Sequence, residues 1–333
     1  MMHPTGRDPA WVATLYERMV LIRAFEEAAA RLYEKGELPG FLHSSVGQEA
    51  VAVGATALLH STDYITSTHR GHGHVLAKGV PPRAMFAELF GRETGTNRGK
   101  GGSMHVMDVA AGVLGANGIV GGGIPIAAGA ALGIQMLGGE RVVVAFFGDG
   151  ALNTGAFHEA VNLASVWQLP AIFVCEHNGY AESTPSSAAS RVDDIAVRAA
   201  AYGLPGFAVD GNDLFAVLDA VERAISRARQ GEGPTLVQCA TYRWYGHYIG
   251  DPGAYRSDEE VAAWRDRDPI VRVSAWLTEH ATWDAEDEAV VRERVERKIG
   301  EAIDFGRASP RPAPESALAD VYAAGASNEG ARS

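Results

Sequence analysis

Cysteine is nearly absent. The 333-residue chain has two, Cys175 and Cys239, each inside an apolar run. That count excludes a disulfide framework and points to a reducing, cytoplasmic setting. Long hydrophobic runs are missing as well. The longest smooth one, IPIAAGAALGIQML at 124–137, is too short and too interrupted to span a bilayer. The opening MMHPTGRDPAW has no apolar region of the signal-peptide kind. Positive charge is in deficit: 29 Lys and Arg against 41 Asp and Glu give a net charge of −12, which argues against a nucleic-acid-binding surface. No internal repeat is present. The expectation is a soluble cytoplasmic protein without nucleic-acid or membrane partners.

Glycine, by contrast, is in excess, at 39 of 333 residues where an average chain has about 7%. Many lie between 91 and 155, which predicts tight turns or close backbone approach there. Ahead of that region, 11–35 reads as an amphipathic helix with Leu15, Met19, Ile22 and Ala29 on one face and Gly36 ending it. GQEAVAVGATALL (47–59) reads as a second helix. IPIAAGAALGIQML is a small-residue helix whose Gly129 and Gly133 would let another helix approach closely. From 141 onward, RVVVAFF (141–147), PAIFVCE (170–176), LPGFAVDG (204–211) and PTLVQCATYRW (234–244) are apolar strands separated by helical stretches over 155–169 and 213–229. That alternation predicts an α/β fold, a doubly wound, mostly parallel sheet flanked by helices. A single domain over 1–333 is expected, with a helical, charged C-terminal region at about 258–308 and a tail rich in Pro, Ala and Ser.

Two glycine-rich stretches resemble phosphate loops and fail in detail. FGDGALNTG (147–155) has Asn153 where a dinucleotide fingerprint needs a glycine. GTNRGKGGS (95–103) is one residue short of a Walker loop and has Gly101 in place of Ser or Thr, so it reads as a packing segment. An aspartate in the first stretch would repel a phosphate unless a cation lay between them. Parallel strands present their carboxyl ends on one side, so Asp149, after RVVVAFF, would meet Asn178, after PAIFVCE, 29 residues on. A carboxylate, an amide oxygen and a nearby carbonyl are hard donors suited to Mg²⁺ shared with a diphosphate, and a helix starting near Asn153 would aim its amides at the same anion. On residue chemistry alone, a capping Asp and a turn Asn compete with this reading.

The same residues carry a resemblance. GDG followed by Asn178 is similar to the thiamine-diphosphate signature. SVGQEAVAVG (45–54), STHRGHGH (67–74), GKGGSMH (99–105), GANGIVGGGIP (115–125), CEHNGY (175–180) and TYRWYGHYIGDPGAYR (241–256) resemble, in order and spacing, the α subunits of 2-oxo acid dehydrogenase first components over roughly 11–322. HRGHGH and NGIVGGGIP look most like the acetoin and bacterial pyruvate branches. The resemblance implies a thiamine-diphosphate-binding fold, with Mg²⁺ held by Asp149, Asn178 and the Tyr180 carbonyl. Gly150 and Ala151 amides would lie near the diphosphate, Gly118 and Val120 near the aminopyrimidine, and His69 and Arg70 on the diphosphate, where relatives often have Tyr at His69. His247 would be the active-site histidine, beside the cofactor, and His43 a substrate-side one. Zinc held by His69, His72 and His74 is the weaker alternative, since no Cys or acidic ligand accompanies them.

Three departures stand out: His177 replaces the first of an Asn pair, Tyr245 stands at a His position, and Tyr248 stands where regulated relatives carry a phosphorylated Ser. No glutamate stands in for the one that activates thiamine from the β subunit. The resemblance therefore implies a heterotetramer of two α and two β subunits. It would decarboxylate a pyruvate-like 2-oxo acid or cleave acetoin and pass the acyl group to a lipoyl acyltransferase component. A non-catalytic paralogue and a nicotinamide-dependent oxidoreductase are the rivals.

Overall fold

The apolar run ahead of the GDG turn forms the centre of the sheet. A computed structural model describes residues 6–192 and 194–319. Its strands are β1 (Tyr64–Thr66), β2 (Val113–Gly115), β3 (Val143–Gly148), β4 (Ala171–His177), β5 (Tyr180–Ala181), β6 (Thr184–Pro185), β7 (Gly206–Asp210) and β8 (Thr235–Ala240). Six of them make one sheet in the order β2-β1-β3-β4-β8-β7, every neighbouring pair parallel. β5 and β6 form a small antiparallel hairpin.

Successive side chains on a strand point to opposite faces, and both faces here are covered. Val142, Val144 and Phe146 enter one core, while Val143, Ala145 and Phe147 enter the other. β4 divides the same way, with Ile172 and Val174 on one side and Ala171, Phe173 and Cys175 on the other. This is why these segments read as continuous apolar runs and not as alternating ones.

The larger core is closed by α1 (Pro9–Glu34), α2 (Glu49–Thr56), α3 (His72–Ala77), α4 (Pro82–Leu89), α8 (Leu214–Arg229), α10 (Pro269–His280) and α11 (Ala285–Ala308). The other is closed by α5 (Gly123–Leu137), α6 (Gly155–Val166) and a 3-10 stretch, Ile195–Tyr202. The short α7 (Ser186–Ala189) follows β6, and α9 (Asp258–Arg265) opens the helical C-terminal region. Helix starts carry local caps: Asp8 accepts from Ala10 N ahead of Pro9, and Asp213 accepts from Phe215 N and Ala216 N.

Several expectations need correction. The second helix ends at Thr56, three residues early. The strand expected over 234–244 stops at Ala240, and from Thr241 the chain runs along the strand ends. The helix expected near Asn153 begins at Gly155, after a 3-10 turn over Asp149–Asn153, with Thr154 capping it through Phe157 N. Among the described residues, no helix packs on Gly129 or Gly133: a Cβ at either would meet nothing within 4 Å. The last part of the Pro-, Ala- and Ser-rich tail, 320–333, lies outside the described residues.

The region of excess glycine also holds a surprise. GTNRGKGGS does wrap an anion, but the anion is the chain's own. The carboxylate of Glu88, wholly buried in the last turn of α4, accepts from Asn97 N and Gly99 N through Oε2 at 2.7 and 2.9 Å. Its Oε1 accepts from Gly101 N and Gly102 N at 2.7 and 3.0 Å. Gly95 must be glycine, because a Cβ would lie 2.4 Å from Glu88 Oε2.

Candidate active site

The strand order places a crevice. β2 lies on one side of β1 and β3 on the other, so the chain runs outward from β1 to β2 and then crosses back to β3, and ligands bind at the carboxyl ends beside such a switch point. The segments leaving those ends are the motif-bearing ones: 67–70 after β1, 117–121 after β2, 149–151 after β3, 178–182 after β4 and 241–256 after β8.

They enclose one cavity of about 330 Å³. Asp149, Gly150, Ala151, Asn178 and Tyr180 line one part of it. His43, His69, Arg70 and His247 line another, and Gly118 and Val120 a third. Every candidate site residue named from the sequence thus borders the same space. The HxxHxH zinc alternative does not survive, because His72 and His74 turn away to Glu26 and Glu176.

His43, His69 and His247 instead face one another, with ring centroids 4.8 to 5.5 Å apart. Their ligand atoms lie within 4.8 Å of one another, close enough to converge on one ion. The local field opposes a cation there. Burial and the neighbouring Arg70 lower the pKa of His43 to about 3 and that of His69 to about 2. Burial, Arg70 and Arg243 lower that of His247. Arg70 itself falls to about 9 through burial and the nearby Arg243. Three neutral imidazoles under two guanidinium groups favour an anion or a neutral polar ligand, not a metal.

Arg70 is rigidly held, donating to the carbonyls of Ser44 (2.6 Å) and His247 (2.9 Å). The loop carrying His247 is pinned at Asp251, which accepts from His247 N at 2.5 Å and from Tyr255 Oη at 2.8 Å. Arg243 joins this loop to the turn after β4, donating to the carbonyls of Tyr180 and Glu182 and to Tyr255 Oη. Sequence reasoning passed over Arg243, although it lies within TYRWYGH; only the fold reveals that it is buried against Tyr180.

A divalent ion fits at Asp149. Its Oδ1 accepts from Gly150 N, while its buried Oδ2 has no hydrogen-bond partner. Asn178 donates its amide to Gln48 Oε1, leaving Oδ1 to accept a long 3.3 Å contact from Tyr180 N. A buried carboxylate oxygen without a hydrogen bond, an amide oxygen and a carbonyl form a hard oxygen set. His177 approaches Asp149 Oδ2 to 3.3 Å with Nδ1 but does not border the cavity. The departure at this position therefore lies behind the carboxylate.

The chain matches the description of the dehydrogenase E1 component family over residues 17–315. The chain belongs to that family. It is 50% identical over 309 residues to the α subunit of acetoin:2,6-dichlorophenolindophenol oxidoreductase of Bacillus subtilis, covering 92% of each chain. The corresponding subunit of Cupriavidus necator is 44% identical over 316 residues, 95% of each chain. The pyruvate dehydrogenase E1 component α subunit of Porphyra purpurea is 42% identical over 305 residues, 90% of this chain and 89% of the relative. As an E1 α subunit, the protein is part of a thiamine-diphosphate-dependent oxidoreductase, and the nicotinamide reading is set aside. Among the described residues, no helix of this E1 chain is long and apolar enough to cross a membrane.

Proposed function

We propose that this E1 α chain decarboxylates a pyruvate-like 2-oxo acid or cleaves acetoin, together with a β subunit, and hands the acyl group to a lipoyl acyltransferase component. The observation that carries the reading is the single cavity at the strand ends bordered by Asp149, Asn178, Arg70 and His247. Thiamine diphosphate, when bound, supplies a nucleophilic carbon and an electron sink for breaking the bond next to a carbonyl. Asp149, Asn178 and the Tyr180 carbonyl would hold Mg²⁺, with Gly150 and Ala151 beside the diphosphate. Arg70 and His69 would face the diphosphate, and Arg's planar fork suits that anion. Gly118 and Val120 would offer backbone groups to the aminopyrimidine. His43 and His247 would hold or deliver a proton at the substrate end.

Calorimetry with thiamine diphosphate, with and without Mg²⁺ and the β partner, tests this reading. Binding that ignores both would overturn it. His247→Ala is expected to keep cofactor affinity but slow acyl transfer by about 10²-fold, the scale of a lost general acid or base. Near-wild-type transfer in that variant would remove the role assigned to His247.

A second chain is required for catalysis in this reading, because the carboxylates bordering the cavity, Asp149, Glu176 and Glu182, all lie at or just beyond the ends of β3 and β4. None accompanies Gly118 and Val120, where Ile119 and Val120 remain exposed. Exposed Ile126, Met136 and Leu137 on α5 and Leu163 and Val166 on α6 form an apolar face, and Gly129 and Gly133 leave open space on α5. That surface is suited to a subunit contact, and we assign it to assembly of two α with two β subunits. Replacing both glycines by leucine should raise the chain's own stability, since glycine costs about 0.8–1.0 kcal/mol within a helix. The same change should weaken assembly at least ten-fold, about 1.4 kcal/mol, as read by size-exclusion chromatography with light scattering. Unchanged assembly would exclude this face.

A further inference from the structure

The HRGHGH segment puts two histidines beneath the cavity, and each bridges a serine to a buried carboxylate. His74 Nδ1 lies 2.8 Å from Ser67 Oγ, and its Nε2 lies 3.1 Å from Glu176 Oε1. His72 is turned the other way round. Its Nδ1 is 3.1 Å from Glu26 Oε2, and its Nε2 is 2.9 Å from Ser103 Oγ. Neither His72 nor Glu26 has exposed surface.

The Glu26 end of this chain decides the protons. Burial opposes charge on Glu26, yet His72 and hydrogen bonds from Ser45 N and Oγ outweigh it and hold its pKa below the usual range. An ionised carboxylate can only accept, so His72 donates from Nδ1, and in the neutral imidazole this leaves Nε2 to accept from the Ser103 hydroxyl. Nucleophile, base and orienting acid thus stand in the order and at the spacing of a hydrolase triad. Ser67, in the other relay, is 1% exposed. Ser103 is half-buried at the edge of the glycine-rich loop.

We propose that Ser103 is an activated nucleophile and a site of covalent acylation by thioesters or comparable activated acyl donors. Ser103 Oγ attacks the acyl carbon, the new C–O bond forming as the C–S bond of the donor breaks. The hydroxyl proton passes to His72 Nε2 and then to the departing thiolate, while Glu26 stays ionised beside the imidazolium. Nothing is oxidised or reduced. The backbone amides of Gly101 and Gly102, next to Ser103 in the chain, are committed to Glu88. They cannot serve as the oxyanion-stabilising donors that sustained hydrolysis needs. Acylation by a thioester can still proceed because thiolate is a good leaving group. Hydrolysis of the resulting oxygen ester must instead expel a serine alkoxide, so the acyl-serine accumulates once per chain.

The test uses p-nitrophenyl acetate as the acyl donor on the full chain, with peptide mapping by mass spectrometry. The expected result is a burst of one nitrophenolate per chain and an acetyl group on Ser103. Ser103→Ala should lose both, and His72→Asn should slow the burst by about 10²-fold, the contribution of a general base. Should His72→Asn fail to fold, the wild-type chain compared in buffer and in urea gives the same answer. Acylation of Ser103 at least about 10²-fold faster in the folded chain supports the proposal. Equal rates folded and unfolded, or no acetyl on Ser103, overturn it.

Discussion

Replacing Asp149 with alanine is expected to abolish Mg²⁺-dependent binding of thiamine diphosphate while leaving the chain folded. The two halves of this expectation have one cause. Asp149 is 6% exposed at the end of β3, and its buried Oδ2 has no hydrogen-bond partner, only His177 Nδ1 at 3.3 Å. A buried charge with an unsatisfied oxygen does not hold the fold together; removing it relieves a desolvation cost. The hydrogen bond it does make, from Gly150 N, is local and spans one residue. The apo melting temperature should therefore hold or rise. For a divalent ion the loss is severe, because Asp149 is the charged member of a set otherwise made of the neutral Asn178 and Tyr180 oxygens. Affinity for the metal–cofactor pair should fall by more than about 100-fold, since even the outer partners of metal ligands are worth 10–100-fold. Asp149→Asn isolates the charge, keeping the shape and a donor oxygen, and should fall between the two. Isothermal titration with and without Mg²⁺ reads both variants. Binding by the alanine variant within about three-fold of wild type, under 1 kcal/mol, would place the ion elsewhere.

The central strands were legible in the sequence because β3 and β4 are buried on both faces, so Val142 to Phe147 and Ala171 to Cys175 leave no polar interruption. Strand direction then placed Asp149 and Asn178 on one side, and the structure puts both on one cavity. The edge of the sheet was not legible. β1 and β2 have three residues each, too few to show a period. They become strands by pairing, as when Ile65 aligns with Val144 on one side and Val113 on the other. The glycine excess was visible but its reason was not, because Glu88 lies in a helix outside the glycine-rich loop, 9 to 14 residues before the amides it collects. Arg243 was hidden for a similar reason: its partners Tyr180 and Glu182 lie about sixty residues away. Sequence pattern reports faces and turns well and reports such distant polar pairings poorly.

Glu88→Ala is expected to cause the largest loss of stability of any single change considered. In wild type the carboxylate is wholly buried and accepts four backbone N–H groups, from Asn97, Gly99, Gly101 and Gly102. Alanine leaves those four donors without their acceptor, and each unsatisfied buried group costs about 1–3 kcal/mol. Some will recover water as the loop loosens, so a net loss of several kcal/mol is expected, a large share of the ~5–15 kcal/mol that holds a typical domain. The melting temperature should drop by about 10 °C or more. Glu88→Gln makes the sharper test, because it keeps size and one carbonyl oxygen. Its amide NH₂ would be turned toward two backbone N–H groups, so two hydrogen bonds are lost and donor faces donor. The glutamine variant should therefore recover less than half of the loss. The effect should also reach the site, because the same loop leads into Met104, which borders the cavity. If the glutamine variant melts within about 2 °C of wild type, under 1 kcal/mol for a chain of this size, the carboxylate is not what shapes GTNRGKGGS. The loop's glycines would then need another explanation, with the Gly95 and Gly99 backbone contacts of α4 and its C-terminal turn the remaining cause.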